Sequence, residues 1–342
     1  MTDPGPSRAA DPGAVLVLGE ALVDLVPADG DTGVRAAQPG GGPANVAVGL
    51  ARLGGRPSFV GGFGDDAFGA RVASWLSGAG VDLSLSRRSS LPTALAVADP
   101  GDHGNTYRFH LGDTATFELP DRAAEAGRFG AVYAGGLAAV VAPAADAVAA
   151  TARAAAATGL LVVDPNVRED RTLDPVASLG RLRELCSLAR VVKASDEDLA
   201  RLWPDASPEA SCRALAAEGR LVVMTRGPKG ATAYVHDAPA VSVPAVPVRV
   251  VNTVGAGDAF LAGMLTWPGA AAGCDPAPSA GRTPALLEYA AATAASVRAR
   301  AGTAPTAPPR ASHRRPRAPG TRPQLRPPPP PPPATPPPPA HP

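Results

Sequence analysis

The stretch Asn252-Thr253-Val254-Gly255-Ala256-Gly257-Asp258-Ala259-Phe260 combines residue types that could move an anion. Ahead of it runs Val246 to Val251, apolar at most positions and expected to be extended. Behind it, Ala259 to Leu265 reads as a helix, so the glycines stand where a strand turns into a helix. Without a β-carbon, Gly255 and Gly257 allow backbone to approach a ligand closely and to adopt positive φ. The first N–H groups of a helix have no internal partner, and the helix dipole adds partial positive charge there, so an anion fits. Asp258 is a poor ligand for that anion but a suitable base for a nucleophile attacking it. Taken alone, GxGD also fits a turn with Asp258 as N-cap, and the rest of the chain has to decide.

Two further stretches weigh in. In Gln38-Pro39-Gly40-Gly41-Gly42-Pro43-Ala44-Asn45 a glycine-rich loop leads into an amphipathic helix, with Asn45 in its first turn, where an amide can both donate and accept. Asp24 lies inside the apolar run Ala21 to Pro27, where an unpaired carboxylate is costly. It is either paired or facing a ligand, and a carboxylate that accepts two hydroxyl hydrogen bonds is a means of holding a polyol. Neither lysine of the chain, Lys193 or Lys229, stands in GxxxxGK[ST], so any phosphate chemistry rests on the helix N-terminus at Gly255–Asp258 rather than on a P-loop. Gly62-Phe63-Gly64 has a dinucleotide-like look, but the first strand ends in Gly19-Glu20, which is no glycine fingerprint.

The elements that position these residues follow from the apolar pattern. Ala14–Leu18, Pro57–Gly61, Gly130–Gly136, Leu160–Asp164, Val191–Ser195 and Arg220–Thr225 are short apolar runs of the buried parallel kind. Helical segments alternate with them at Pro143–Thr158 and Leu179–Leu188. The expectation is an α/β fold. Thr93–Ala98 and Asn105–His110 break the alternation as a β-hairpin with a six-residue turn, which belongs to a separate small sheet. Within it, either Tyr107 and Phe109 pack while Arg108 reaches a ligand, or the reverse. Polar Asp164, Asn166 and Arg168 follow a buried strand at the end where such sheets bind ligands. Ser195, with Asp198 three residues on, reads as a helix cap. Thr225-Arg226-Gly227-Pro228-Lys229-Gly230 turns the last strand back as a hairpin.

Composition excludes several classes. Six of the 32 basic residues lie beyond Gly302, where no acid stands, so the first 302 residues carry a net charge of −5, unlike a nucleic-acid binder. Cys186, Cys212 and Cys274 share no CxxC spacing, so no zinc site or disulfide framework is indicated. No apolar run reaches membrane-spanning length, and Met1 to Gly13 lacks the regions of a signal peptide. The expectation is a cytoplasmic enzyme without a membrane or nucleic-acid partner. Of 41 prolines, 18 lie beyond Gly302, including Pro327 to Pro333, so residues 301–342 are expected to be disordered or polyproline II, as are residues 1–13.

With GGGPAN at 40–45 and NTVGAGD at 252–258 both in place, the chain resembles the PfkB-type carbohydrate kinases of ribokinase-like fold, from about Val15 to about Ser296. Gly19-Glu20-Ala21-Leu22-Val23-Asp24, Asp164-Pro165-Asn166-Val167-Arg168 and Lys193-Ala194-Ser195-Asp196-Glu197 resemble the bacterial fructokinases among them. The resemblance implies a three-layer α/β/α domain over residues 14–300, with a mainly parallel central sheet and a small β lid from about 20–40 and 92–111. It implies that Asp24, Gly41, Asn45, Arg108 and Arg168 meet the sugar and that Lys193, Thr225, Gly227 and Gly230 line the nucleotide. Asp164 and Asn166 would stand near phosphates and metal. Gly255, Ala256 and Gly257 would form the anion hole, with Asp258 the base. ATP and Mg²⁺ are the implied cofactors, a sugar the substrate, and a homodimer through the lid the implied assembly. Fructose is the first expected sugar, with 2-keto-3-deoxygluconate and ribose as alternatives; an inactive binding relic is the alternative of another class. Two departures stand out. Asn252 occupies a position where the family more often has Asp, which leaves a monovalent-cation requirement open. After Ser296 the chain turns Arg/Pro-rich where the family continues with a short strand and loop, and a reading-frame change near residue 297 is the expected cause.

Overall fold

The computed structural model describes residues 11–28, 31–101, 104–158, 161–251, 254–267 and 282–299. In chain order the strands and helices are β1 (Asp11–Leu18), β2 (Leu22–Ala28), β3 (Asp31–Gly40), α1 (Gly42–Arg52), β4 (Arg56–Val60), β5 (Gly62–Gly64), α2 (Ala67–Gly78), β6 (Arg87–Ser89), β7 (Leu95–Gly101) and β8 (Gly104–His110). They continue with β9 (Phe129–Gly135), α3 (Ala144–Thr158), β10 (Leu161–Asp164), α4 (Pro175–Leu188), β11 (Val191–Ser195), α5 (Asp196–Leu202), α6 (Pro208–Ala217), β12 (Leu221–Thr225), β13 (Ala231–Tyr234), β14 (Val241–Val243), α7 (Ala256–Thr266) and α8 (Thr283–Arg298).

Eight strands form the central sheet in the order β14-β13-β12-β11-β10-β9-β1-β4. The pairs from β4 to β12 are parallel, and β13 and β14 close the far edge antiparallel. Side chains alternate between the faces of a strand, so each apolar run feeds two cores. Leu16, Leu18, Val192, Ala194, Val222 and Met224 pack with α3 to α6. Val15, Val17, Val191, Leu221 and Val223 pack with α1, α2, α7 and α8. This is the expected three-layer α/β/α arrangement. On the second face α7 lies very close to α8: a β-carbon on Gly263 would meet Thr293 Oγ1 at 2.8 Å and Ala290 Cα at 3.0 Å.

A separate four-stranded sheet, β3-β2-β7-β8, is the lid. It leaves and rejoins the main body through Gly19-Glu20-Ala21 and Gly40-Gly41. The order of the large sheet also sets where a ligand can sit. From β1 the chain runs outward to β4, and from β9 it runs the other way through β10 to β12. The loops after β1 and β9 therefore diverge, opening a crevice at the C-terminal ends of the strands.

Three expectations change. Val246–Val251 is not a strand: residues 244–250 have no regular secondary structure. Pro244 and Pro247 offer no N–H to a ladder, and Val246, Val250 and Val251 are exposed. The six-residue hairpin turn is shorter than expected, because pairing continues to Gly101 opposite Gly104; Asp102 and His103 lie outside the described residues. Asp11–Gly13 are ordered as the start of β1, with Asp11 opposite Phe129 and its carboxylate bonded to Arg56 and the Gly13 amide. The rest of the expected disordered N-terminus, and residues 300–342 with the proline-rich tail, lie outside the described residues, as do Asn252, Thr253 and Cys274. Among the described residues no helix is long and apolar enough to cross a membrane.

Candidate active site

Two helices begin at the mouth of the crevice, and neither is capped by a side chain. Gly41 is the N-cap of α1 at φ 106° and ψ 128°, and Gly255 is the N-cap of α7 at φ 78° and ψ 2°. Helices α2, α4, α5 and α6 are instead capped by Asp66, Asp174, Ser195 and Ser207. The bare starts of α1 and α7 leave amides for a ligand. Asp258 is the third residue of α7, not its N-cap as the local reading allowed.

The two starts are tied together. Asn45 Nδ2 donates to Asp258 Oδ2 at 2.9 Å, and both residues are buried. Gly42 packs close by: a β-carbon there would fall 2.6 Å from Asn166 Nδ2 and 3.5 Å from Asp258 Oδ1. Asn166 itself adopts a positive φ of 42°, a conformation that asparagine tolerates better than most residues. Burial raises the pKa of Asp258, with the Asn45 hydrogen bond, Lys193 and Arg168 pulling the other way. The group is thus a better proton acceptor than an exposed aspartate.

Lys193 and Asp164 form a buried pair at 2.7 Å beneath the same helix. A β-carbon on Gly257 would touch Lys193 Nζ at 3.1 Å, which puts the ammonium directly under the first turn of α7. Burial disfavours the charged lysine, yet Asp164, Asp198 and Asp258 hold its pKa above the ordinary value, so it is a fixed cation. Burial pushes Asp164 up to about 6 even with Lys193 against it. Its second oxygen, Oδ1, is buried without a hydrogen-bond partner, as is the hydroxyl of Tyr133 on the neighbouring strand.

Asp24 sits in the lid strand β2 against Gly40, where a β-carbon would collide with its carboxylate. Burial raises it to about 6, offset by Arg168 and reinforced by Asp258. The charges of Asp258 and Arg168 thus both act on Asp24, and Arg168 is exposed. Thr225 lies one strand further along the same edge, opposite Ser195 in register, and opens the turn to Gly227 and Gly230. Gly230, at φ 88°, has no room for a side chain beside the Val243 carbonyl.

Arg108 is the expected site residue that the structure does not bring in. Directly opposed residues share a face of a sheet. Asp24 stands opposite Ala96, which stands opposite Phe109, whereas Leu25, Val97 and Arg108 line up on the other face. Arg108 is exposed there and pairs with Asp99 at 2.9 Å. Tyr107 and Phe109 stack with ring centroids 6.2 Å apart. Of the two hairpin alternatives, the aromatics take the side of Asp24.

The sequence reading passed over two residues of this cluster. Asp198 completes the capping box of Ser195 at the start of α5, and its carboxylate also accepts the Val167 amide at 2.9 Å, tying the Asn166–Arg168 loop to α5. Glu20 is buried, and its carboxylate accepts the Ala138 amide at 3.0 Å. The argument that singled out Asp24, a carboxylate within an apolar run, applies equally to Glu20.

Residues 13–310 match the family model described as pfkB family carbohydrate kinase. A fructokinase of Rhizobium leguminosarum bv. trifolii is 33% identical over 261 residues, covering 73% of this chain and 78% of the relative. Among solved structures, a fructokinase from Xylella fastidiosa with bound ATP superposes with a TM-score of 0.77 at 30% identity, covering 86% of this chain and 95% of that one. A fructokinase from Vibrio cholerae O395, bound to fructose, ADP and calcium ion, gives a TM-score of 0.74 at 27% identity, covering 86% of this chain and 95% of that one.

Proposed function

The chain belongs to the pfkB family of carbohydrate kinases, and from that membership we propose that it transfers the γ-phosphoryl group of ATP to a primary hydroxyl of a sugar, fructose first among the acceptors. The observation that carries the reading is the uncapped start of α7 with the Asp258 carboxylate in its first turn, held by Asn45. Asp258 takes the proton of the attacking hydroxyl, and its raised pKa suits that task. The amides from Gly255 to Asp258, with Ala256 and Gly257 between them, face the charge that develops on the transferred group. Lys193 adds a fixed positive charge under those amides. Asp24, Gly41 and Asn45 orient the sugar, with Arg168 at the entrance. The edge from Thr225 to Gly230 takes the nucleotide.

Magnesium fits this donor set in a limited way. No group of three or more His, Cys, Asp or Glu among the described residues could hold a metal alone. Asp164 Oδ1 is one open carboxylate oxygen, with Asn166 nearby, and an ion that keeps waters and phosphate oxygens as most of its shell needs little more. When bound, magnesium neutralises charge on the phosphates. We also propose a cytoplasmic protein that dimerises through its lid; a light-scattering mass of one chain would remove the dimer.

The test is ADP release measured over a panel of ketoses and aldoses. Fructose-dependent ADP release supports the proposal. A preference for 2-keto-3-deoxygluconate or ribose would move the acceptor, and no ADP release with any sugar of the panel would leave only the binding relic.

A further inference from the structure

Glu20 lies in the three-residue link between β1 and the lid strand β2, and is 3% exposed. Its carboxylate makes no ion pair among the described residues within contact distance; it is held by backbone. The Ala138 amide donates to Oε2 at 3.0 Å, and the amides of Leu137 and of Glu20 itself also stabilise the charge. Gly136, at φ 71°, completes the seat, since a β-carbon there would lie 2.7 Å from Oε1. The residue thus joins the two loops that diverge after β1 and β9, the place where the crevice opens. Its backbone does a second job. The Glu20 carbonyl lies 2.5 Å from where a Gly41 β-carbon would be, so the outgoing and returning links of the lid meet at this residue. One residue on, Ala21 accepts from Thr116 Oγ1 at 3.3 Å, and that hydroxyl accepts the Ala94 amide at 3.1 Å, which brings the entry to β7 to the same point.

Burying a carboxylate is costly, and an apolar residue of similar size would fill the volume. Burial indeed pushes Glu20 up to about 7 against the pull of the amides and of Arg168. A carboxylate is retained because the turned-in amides of 137–138 need an acceptor, and this acceptor is attached to the lid.

We propose that Glu20 is a positioning residue of the sugar site: seated in the amides of Leu137 and Ala138, it fixes the point from which the lid hangs and so sets Asp24, Gly41 and Asn45 relative to Asp258. The proposal rests on the kinase reading for its kinetic consequence, but the anchoring itself is separately measurable. The nucleotide edge at Thr225–Gly230 is several strands away, so the effect falls on one substrate.

The experiment compares wild type with Glu20→Asp, Glu20→Gln and Glu20→Ala, measuring KM for fructose and for ATP separately, with amide hydrogen exchange on each protein. Glu20→Asp keeps the charge but is too short for the seat, and is expected to raise the fructose KM about tenfold with the ATP KM within about twofold. Glu20→Gln keeps an oxygen acceptor for the Ala138 amide and is expected to stay within about threefold of wild type. Exchange at Ala138 and along Leu22–Val26 should quicken in Glu20→Ala while β12 stays protected. An unchanged fructose KM in Glu20→Asp, or the two KM values rising together, overturns the proposal. Unchanged exchange at Ala138 in Glu20→Ala also overturns it, and does so even if the wild type proves inactive, when the kinase reading alone would have failed. If Glu20→Ala does not fold, exchange in Glu20→Asp decides the same point.

Discussion

The starts of α1 and α7 look alike and are built to different ends. Each is led by glycine at positive φ, each lacks a side-chain cap, and the two meet through Asn45 and Asp258. The α1 start carries no acid in its first turn and is seated on the Glu20 carbonyl, at the root of the lid. The α7 start carries Asp258 and rests on the Lys193 ammonium, at the end of the central sheet. A bare helix end therefore has no role of its own. The group beneath it and the carboxylate within reach set its chemistry, and on the proposed function the α1 start serves the acceptor and the α7 start the phosphoryl group.

The comparison is broken or sharpened first by Asp258→Asn. Losing a positioned base is expected to lower kcat by roughly 10²–10⁴ with the sugar KM little changed. Asn45→Ala probes the other start. Removing the sugar hydrogen bond proposed for the Asn45 amide, worth roughly 0.5–1.5 kcal/mol, should raise the sugar KM about twofold to tenfold, while loss of the bond to Asp258 lets the pKa of the base rise further. Steady-state kinetics of the two variants checks both. If Asn45→Ala loses kcat and keeps KM, the division of labour between the helices is wrong.

Next comes pH. Asp24 stands near 6 and Asp258 above its ordinary value, so the charged forms needed for binding and catalysis are lost earlier than usual on acidification. The pH profile of kcat/KM should fall below an inflection between about 5 and 7; a plateau reaching down to pH 4 would contradict the raised values. Stability runs the other way. Glu20, near 7, and Asp164, near 6, bind protons more tightly in the folded chain than in the unfolded one. Over that interval the folded state holds more protons, so their contribution is full below the ordinary carboxylate pKa and lost as pH rises through about 6 to 7. Melting temperatures followed from pH 5 to pH 8 should fall, and fall less steeply in Glu20→Gln. The smallest effect is expected from Gly263→Ala. Its new methyl must displace Thr293 and Ala290, at a cost of about 1–3 kcal/mol by overpacking, seen as a lower denaturation midpoint with KM values retained.

Much of this was legible in the chain. Runs such as Leu160–Asp164 and Val191–Ser195 announce buried parallel strands because both of their faces are apolar, and the structure places β10 and β11 there. Glycine-led helix starts are legible because no other residue suits the backbone. Val246–Val251 misled because apolar content was read without Pro244 and Pro247, whose missing amides prevent pairing. Arg108 was ambiguous in principle: alternation along β8 says that Arg108 and Phe109 face oppositely, but only the pairing of β8 with β7, and of β7 with β2, says which of them shares a face with Asp24.

The sequence by itself determined the α/β alternation, the two glycine-rich helix starts, the candidate base and the family to which they belong, since each depends on residue types within a few positions of one another. The tertiary structure decided that Asn45 bonds Asp258 across 213 positions of chain, that Lys193 lies under Gly257, and that Glu20 closes on the Ala138 amide. Those contacts arise where strands adjacent in the sheet are distant in the chain, and no local pattern of side chains encodes which strand ends will be neighbours.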